Sequence, residues 1–107
     1  MVEFSSSVCS DERFLVDIEG HAEYAPRGSD IVCAAASILA LDLADIARKA
    51  EREGKTKSLY VDTGDGRVSI DADFKRAYAG EFAAALRTVE NGFALLESAF
   101  PDHVICL

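Results

Sequence analysis

A chain of 107 residues, half of them apolar, amounts to one domain that can build a core without metal or disulfide staples. Its formal charge of -8 disfavours direct nucleic-acid binding. It suits basic partners, ribosomal proteins among them, or simply a soluble, self-repelling surface. The three cysteines, Cys9, Cys33 and Cys106, follow no regular spacing, so they are not a disulfide framework and a reduced, cytoplasmic setting is expected. Residues 1–10 lack the basic start and apolar run of a signal peptide. The longest apolar stretch, residues 31–41, falls well short of the ~20 residues that span a bilayer, so no membrane association is expected.

Val2, Phe4 and Val8 fall on alternate positions and predict a first strand. Ser10-Asp11-Glu12 turns the chain into a second, cleaner strand, with Phe14, Val16 and Ile18 on one face. Gly20 breaks it. Residues 20–30 keep neither helical nor strand period and contain Pro26 and Gly28, so they form a loop. Ser29 or Asp30 can cap the helix that follows, because either side chain accepts a bond from a first-turn N–H.

That helix is apolar nearly all round from Ile31 to Leu41, which predicts a buried first half, and it becomes amphipathic after Asp42. Gly54 ends it, with Arg52, Lys55 and Lys57 suited to the negative end of the dipole. A short strand at Leu59–Val61, a tight turn through Gly64, Asp65 and Gly66, and a strand carrying Val68, Ile70 and Ala72 make a hairpin. A second helix is expected from about Lys75 to Phe100, slightly weakened by Gly92 and stopped by Pro101. Its stripe of Tyr78, Phe82, Leu86, Val89, Phe93, Leu96 and Phe100 packs into the core or serves a dimer interface. Val104-Ile105 closes the chain as a strand. The order β-β-α-β-β-α-β predicts a compact α+β domain over residues 1–107, with two long helices against a mostly antiparallel sheet.

Two residues flank the loop and carry the chemistry. Cys33 sits in the first helical turn, where N–H groups and the positive dipole end favour thiolate, the nucleophilic form. Read alone, Cys33 could equally be a small buried hydrophobe. His21 follows the strand end and can accept a thiol proton and return it to a leaving amine. Alternatively it is a surface histidine at a turn. Asp30 either caps the helix or orients His21 as a third member. Ser37, one turn beyond Cys33, either bonds back to the helix carbonyl or supports the pair. First-turn N–H groups are candidate oxyanion donors. The Ala22 to Ser29 loop, with Gly28 as hinge, either closes over a substrate or is an ordinary connector. Zinc on His21, Cys33, His103 and Cys106 is a rival, although no CxxC or HxxxH pair is present.

Gly20-His21-Ala22, a short loop, then Gly28-Ser29-Asp30-Ile31-Val32-Cys33-Ala34 and Ser37 resemble the signature of the bacterial ribosomal-processing cysteine protease family. The rest of the chain is similar in length and element order. The resemblance implies that Cys33 is the nucleophile and His21 the base, with Gly20, Asp30 and Ser37 in support. It implies no cofactor and a homodimer. The implied reaction removes an N-terminal extension from a large-subunit ribosomal protein, after an aromatic pair, so that ribosome assembly proceeds. Residues 23–27 fall in the family's variable region, which leaves the cleavage sequence open. A non-catalytic ribosome-assembly or protein-interaction module is the alternative from another class, and a thiol redox or zinc protein a third.

Overall fold

A computed structural model describes all 107 residues. Strands β1 (Val2–Val8) and β2 (Arg13–Glu19) form a hairpin, helix α1 spans Ile31–Arg52, and β3 (Thr56–Gly64) and β4 (Arg67–Phe74) form a second hairpin. A single 3-10 turn, Arg76–Tyr78, leads into helix α2 (Ala79–Ala99), and β5 (Val104–Cys106) ends the chain. The five strands make one sheet in the order β3-β4-β2-β1-β5. Every pairing is antiparallel except that of β5 with β1. Element order and class agree with the expectation from the sequence, and both helices lie on one face of the sheet.

Strand alternation decides that face. Phe14, Val16 and Ile18 of β2 and Val68, Ile70, Ala72 and Phe74 of β4 point inward, while Arg13, Asp17, Glu19, Arg67 and Asp71 pair across the open face. Phe74 stacks on Phe82 of α2 with ring centroids 4.8 Å apart, and Phe4 stacks on Phe93 at 4.6 Å. The stripe is therefore core over Phe82, Leu86, Val89 and Phe93, which are all buried, whereas Tyr78 at its start is exposed and Leu96 and Phe100 are partly buried. No buried side-chain polar atom lacks a partner, so apolar burial faces no desolvation penalty at the centre of the domain.

Three expectations need correction. The first half of α1 is not buried all round: Ile31, Ile38 and Leu41 are 62, 66 and 47 % exposed. A helix against one face of a sheet covers only one stripe, and here Val32, Ala36, Ala40, Leu43, Ala44 and Ala47 supply it. Apart from Leu43 they are small residues that let α1 approach the sheet closely, while Ile31, Ile38 and Leu41 stay outside. Helix α2 begins at Ala79, because residues 76–78 form the tighter turn instead. Val8 is exposed at the end of β1, beyond the reach of the helices. Gly92, which costs helix propensity, marks where the helices meet: a Cβ there would lie 2.8 Å from Leu39.

Candidate active site

The β1 start, the β2 end, the β3–β4 turn and the first three turns of α1 surround one cleft of about 670 Å³. Gly20, His21, Gly28, Asp30, Cys33 and Ser37 all line it. Val2, Ile18, Val68, Ala36 and Ala40 give it an apolar floor, and Arg27, Asp65 and Arg67 stand at its rim. The residues singled out from sequence thus converge, with two exceptions. Ala22 and Ser29 do not line the cleft.

His21 leaves β2 on a backbone held at three consecutive residues. The Gly20 N–H donates to the Gly66 carbonyl at 2.8 Å, and Gly20 adopts φ +101°. The His21 carbonyl accepts from the Met1 nitrogen. The Ala22 carbonyl accepts from the His103 ring at 2.8 Å. The imidazole itself is exposed and lies on Gly66, where an added Cβ would come 2.7 Å from Nε2. Gly66 is therefore the seat of the ring, a role that the sequence presented only as a turn.

Cys33 is half-buried in the first turn of α1. Its amide donates to Asp30 Oδ1 at 2.8 Å, and the amide of Ala34 donates to the Asp30 carbonyl at 3.1 Å. Of the first-turn amides expected as oxyanion donors, those of Cys33 and Ala34 are therefore already engaged. The carboxylate also sets a negative charge against the helix start, where the dipole is positive. Asp30 makes no bond to His21. Its Oδ2 instead accepts from the amides of Tyr24 and Ala25 at 2.9 and 3.2 Å, so one carboxylate ties the loop to the helix. No hydrogen bond joins His21 to Cys33 across the cleft, and the Ser37 hydroxyl is exposed without the expected back-bond.

Four donated N–H groups, that of Cys33 first and then those of Ala25, Tyr24 and Val32, hold the Asp30 carboxyl below the usual carboxylate range against a smaller desolvation effect. A group depressed on folding contributes stability above its unfolded pKa, and loses it as pH falls through the folded value. The Tm advantage of the protein over its Asp30→Asn variant should be constant near neutrality and shrink below about pH 4, where a free aspartate protonates. Thermal melts across that range measure it, and a gap unchanged into strong acid would refute the assignment.

The loop is more anchored than a mobile lid would be. Ala22 is fully buried, and Tyr24 packs edge-on against Phe100 and His103, each at 5.3 Å. Beyond Ala25 the chain is exposed, with a Pro26–Ser29 turn closed by one 2.9 Å bond and Gly28 at φ +91°. Ala22 therefore belongs to the scaffold, which corrects its placement in a flexible loop.

The other cysteines lie elsewhere. Cys9 is exposed at the far end of β1. Burial, with the Glu97 charge second, pushes the Cys106 thiol up and keeps it protonated. The four residues weighed as zinc ligands do not converge, since His103 bonds the Ala22 carbonyl and Cys106 lies beside Glu97. No helix is long and apolar enough to cross a membrane.

The fold is shared with solved structures. The essential ribosomal processing protease Prp of S. aureus, in complex with a covalently linked product peptide, is 19% identical with a TM-score of 0.73, covering 99% of this chain and 97% of that one. The same S. aureus protease with a substrate peptide is 18% identical at TM-score 0.68, covering 100% and 98%. SMU.848 of Streptococcus mutans is 24% identical at TM-score 0.66, covering 99% and 91%. No curated protein matches the sequence. One cysteine and one histidine line the same cleft, the family model described as cysteine protease Prp matches residues 1–105, and the chain belongs to that family of cysteine proteases.

Proposed function

We propose that Cys33 is the nucleophile and His21 the general base of an endopeptidase. The carrying observation is that these two side chains face one peptide-sized cleft, whereas the other cysteines lie outside it. His21 takes the thiol proton, and the sulfur attacks the scissile carbonyl. The protonated imidazole then gives that proton to the leaving amine, and water releases the acyl group from sulfur. In the free protein the pair is not hydrogen-bonded, as is common before substrate tightens a catalytic site.

The proposed substrate is the N-terminal extension of a large-subunit ribosomal protein, cut in the cytoplasm. Two things support it: the S. aureus neighbours are ribosomal processing proteases, one with a substrate peptide, and a net charge of -8 favours a basic ribosomal protein. Incubating the full chain with a synthetic peptide spanning the host protein's extended N-terminus tests this, with cleavage read by mass spectrometry. Cleavage at one internal bond is expected. Binding without cleavage would favour an interaction module instead, and a host ribosomal protein without an extension would remove the substrate assignment.

Assembly as a homodimer belongs to the same proposal. The unpartnered stripe of Ile31, Ile38 and Leu41 beside the cleft supports it, because bulky aliphatic residues at this spacing form a continuous helical seam. Sedimentation should show a dimer that Ile38→Glu weakens to monomer. A dimer indifferent to Ile38→Glu would place the interface elsewhere.

A further inference from the structure

The turn between α2 and β5 contains a residue the proposed chemistry does not use. His103 is fixed through its own backbone: its N–H donates to the Phe100 carbonyl at 2.9 Å and its carbonyl accepts from Val2 at 2.8 Å. The imidazole Nδ1 lies 2.8 Å from the carbonyl oxygen of Ala22, the residue after His21. A carbonyl has no proton to give, so Nδ1 carries the hydrogen and donates it. The same ring packs at 84° against Tyr24, whose amide is held by Asp30, the cap of the helix that bears Cys33.

We infer that His103 is a positioning residue for His21, locking the chain one residue beyond it through the Ala22 carbonyl. This rests on the reading of His21 as the proton acceptor for Cys33. The Gly66–Gly20 bond fixes the chain on one side of His21, and the His103–Ala22 bond fixes it on the other. Between them the imidazole can rotate only about its own side-chain bonds above Gly66. Without the second bond the Ala22–Glu23 peptide can turn, leaving only the Met1 contact at the His21 carbonyl to hold that side of the ring on its seat. Displacement of about 1 Å in such a group costs on the order of a hundredfold in rate.

Asparagine places its amide nitrogen where the histidine Nδ1 sits, whereas phenylalanine keeps the ring packing against Tyr24 and removes the donor. The test uses the full chain and measures its rate of cleavage of the synthetic substrate peptide against pH, together with thermal melts. His103→Phe should slow cleavage at least tenfold and move its pH profile toward that of His21→Ala. His103→Asn should stay within a few-fold of the parent. Parent-like rates and profile in His103→Phe, beside a slow His21→Ala, would overturn the positioning role and leave the Cys33–His21 pair standing. So would a His103→Asn variant as slow as His103→Phe. If His21→Ala itself changes nothing, the pair fails and this role falls with it. Should His103→Phe not fold, ring 15N spectra of the parent decide: protonated Nδ1 is expected, and a neutral ring with its hydrogen on Nε2 overturns the inference.

Discussion

Replacing Cys33 by serine is expected to lower peptide cleavage by roughly 10⁴-fold or more, and replacing His21 by alanine by a comparable factor. The hydroxyl of serine is a far weaker nucleophile than a thiolate at neutral pH, and nothing else in the cleft replaces the sulfur. Cys106, with its thiol pushed up by burial and by Glu97, and Cys9, at the far end of β1, cannot substitute. Because the two residues act as one unit, Cys33→Ser combined with His21→Ala should be no slower than either alone. Retained folding is checked by melting temperature, which should change little, since His21 is exposed and Cys33→Ser is nearly isosteric. Undiminished cleavage by Cys33→Ser would end the nucleophile assignment. A double variant slower by the product of the single losses would mean that the residues act independently.

The elements of this fold could be read locally, whereas their neighbours could not. Alternation in Phe14, Val16 and Ile18, and the four- and three-residue steps from Phe82 to Phe93, report burial on one face, and the structure places Phe14, Val16, Ile18, Phe82, Leu86, Val89 and Phe93 in the core. The pairing of β2 with β4 leaves no local mark. It is this register, Glu19 beside Arg67, that brings the β3–β4 turn against Gly20 and makes Gly66 the seat of His21. Likewise the parallel pairing of β5 with β1 sets His103 beside Val2 and within reach of Ala22. The loop's Asp30 was legible as a cap, but its second oxygen spans to Tyr24 and Ala25, a contact set by the loop's path rather than by spacing. Hydrophobicity misled at α1, where Ile31 and Ile38 are apolar yet exposed, because small residues, alanines above all, fill the narrow space above the sheet.

Gly20→Ala should both destabilise the domain and disable the cleft, the larger of two effects that a pair of glycine substitutions can separate. At φ +101° any residue with a Cβ is strained by roughly 1–3 kcal/mol. The new Cβ would also lie 2.1 Å from the Met1 carbonyl oxygen, which belongs to backbone and cannot swing aside like a side chain end. Either the start of β1 moves or the chain at residues 20 and 21 does. Both break the contact between Met1 and the His21 carbonyl, so the imidazole leaves Gly66. A fall in Tm of about 10 °C or more is expected, from strain and clash together, at roughly 4–8 °C per kcal/mol for a domain near this size. Gly54→Ala is the control. It has φ +74° but open space around the added carbon, and it lies past the far end of α1 from Cys33. It should therefore lose a few degrees and keep full cleavage. Equal Tm losses in the two variants would show that the backbone near Met1 yields without cost. Full activity in folded Gly20→Ala would show that the placement of His21 does not depend on this glycine.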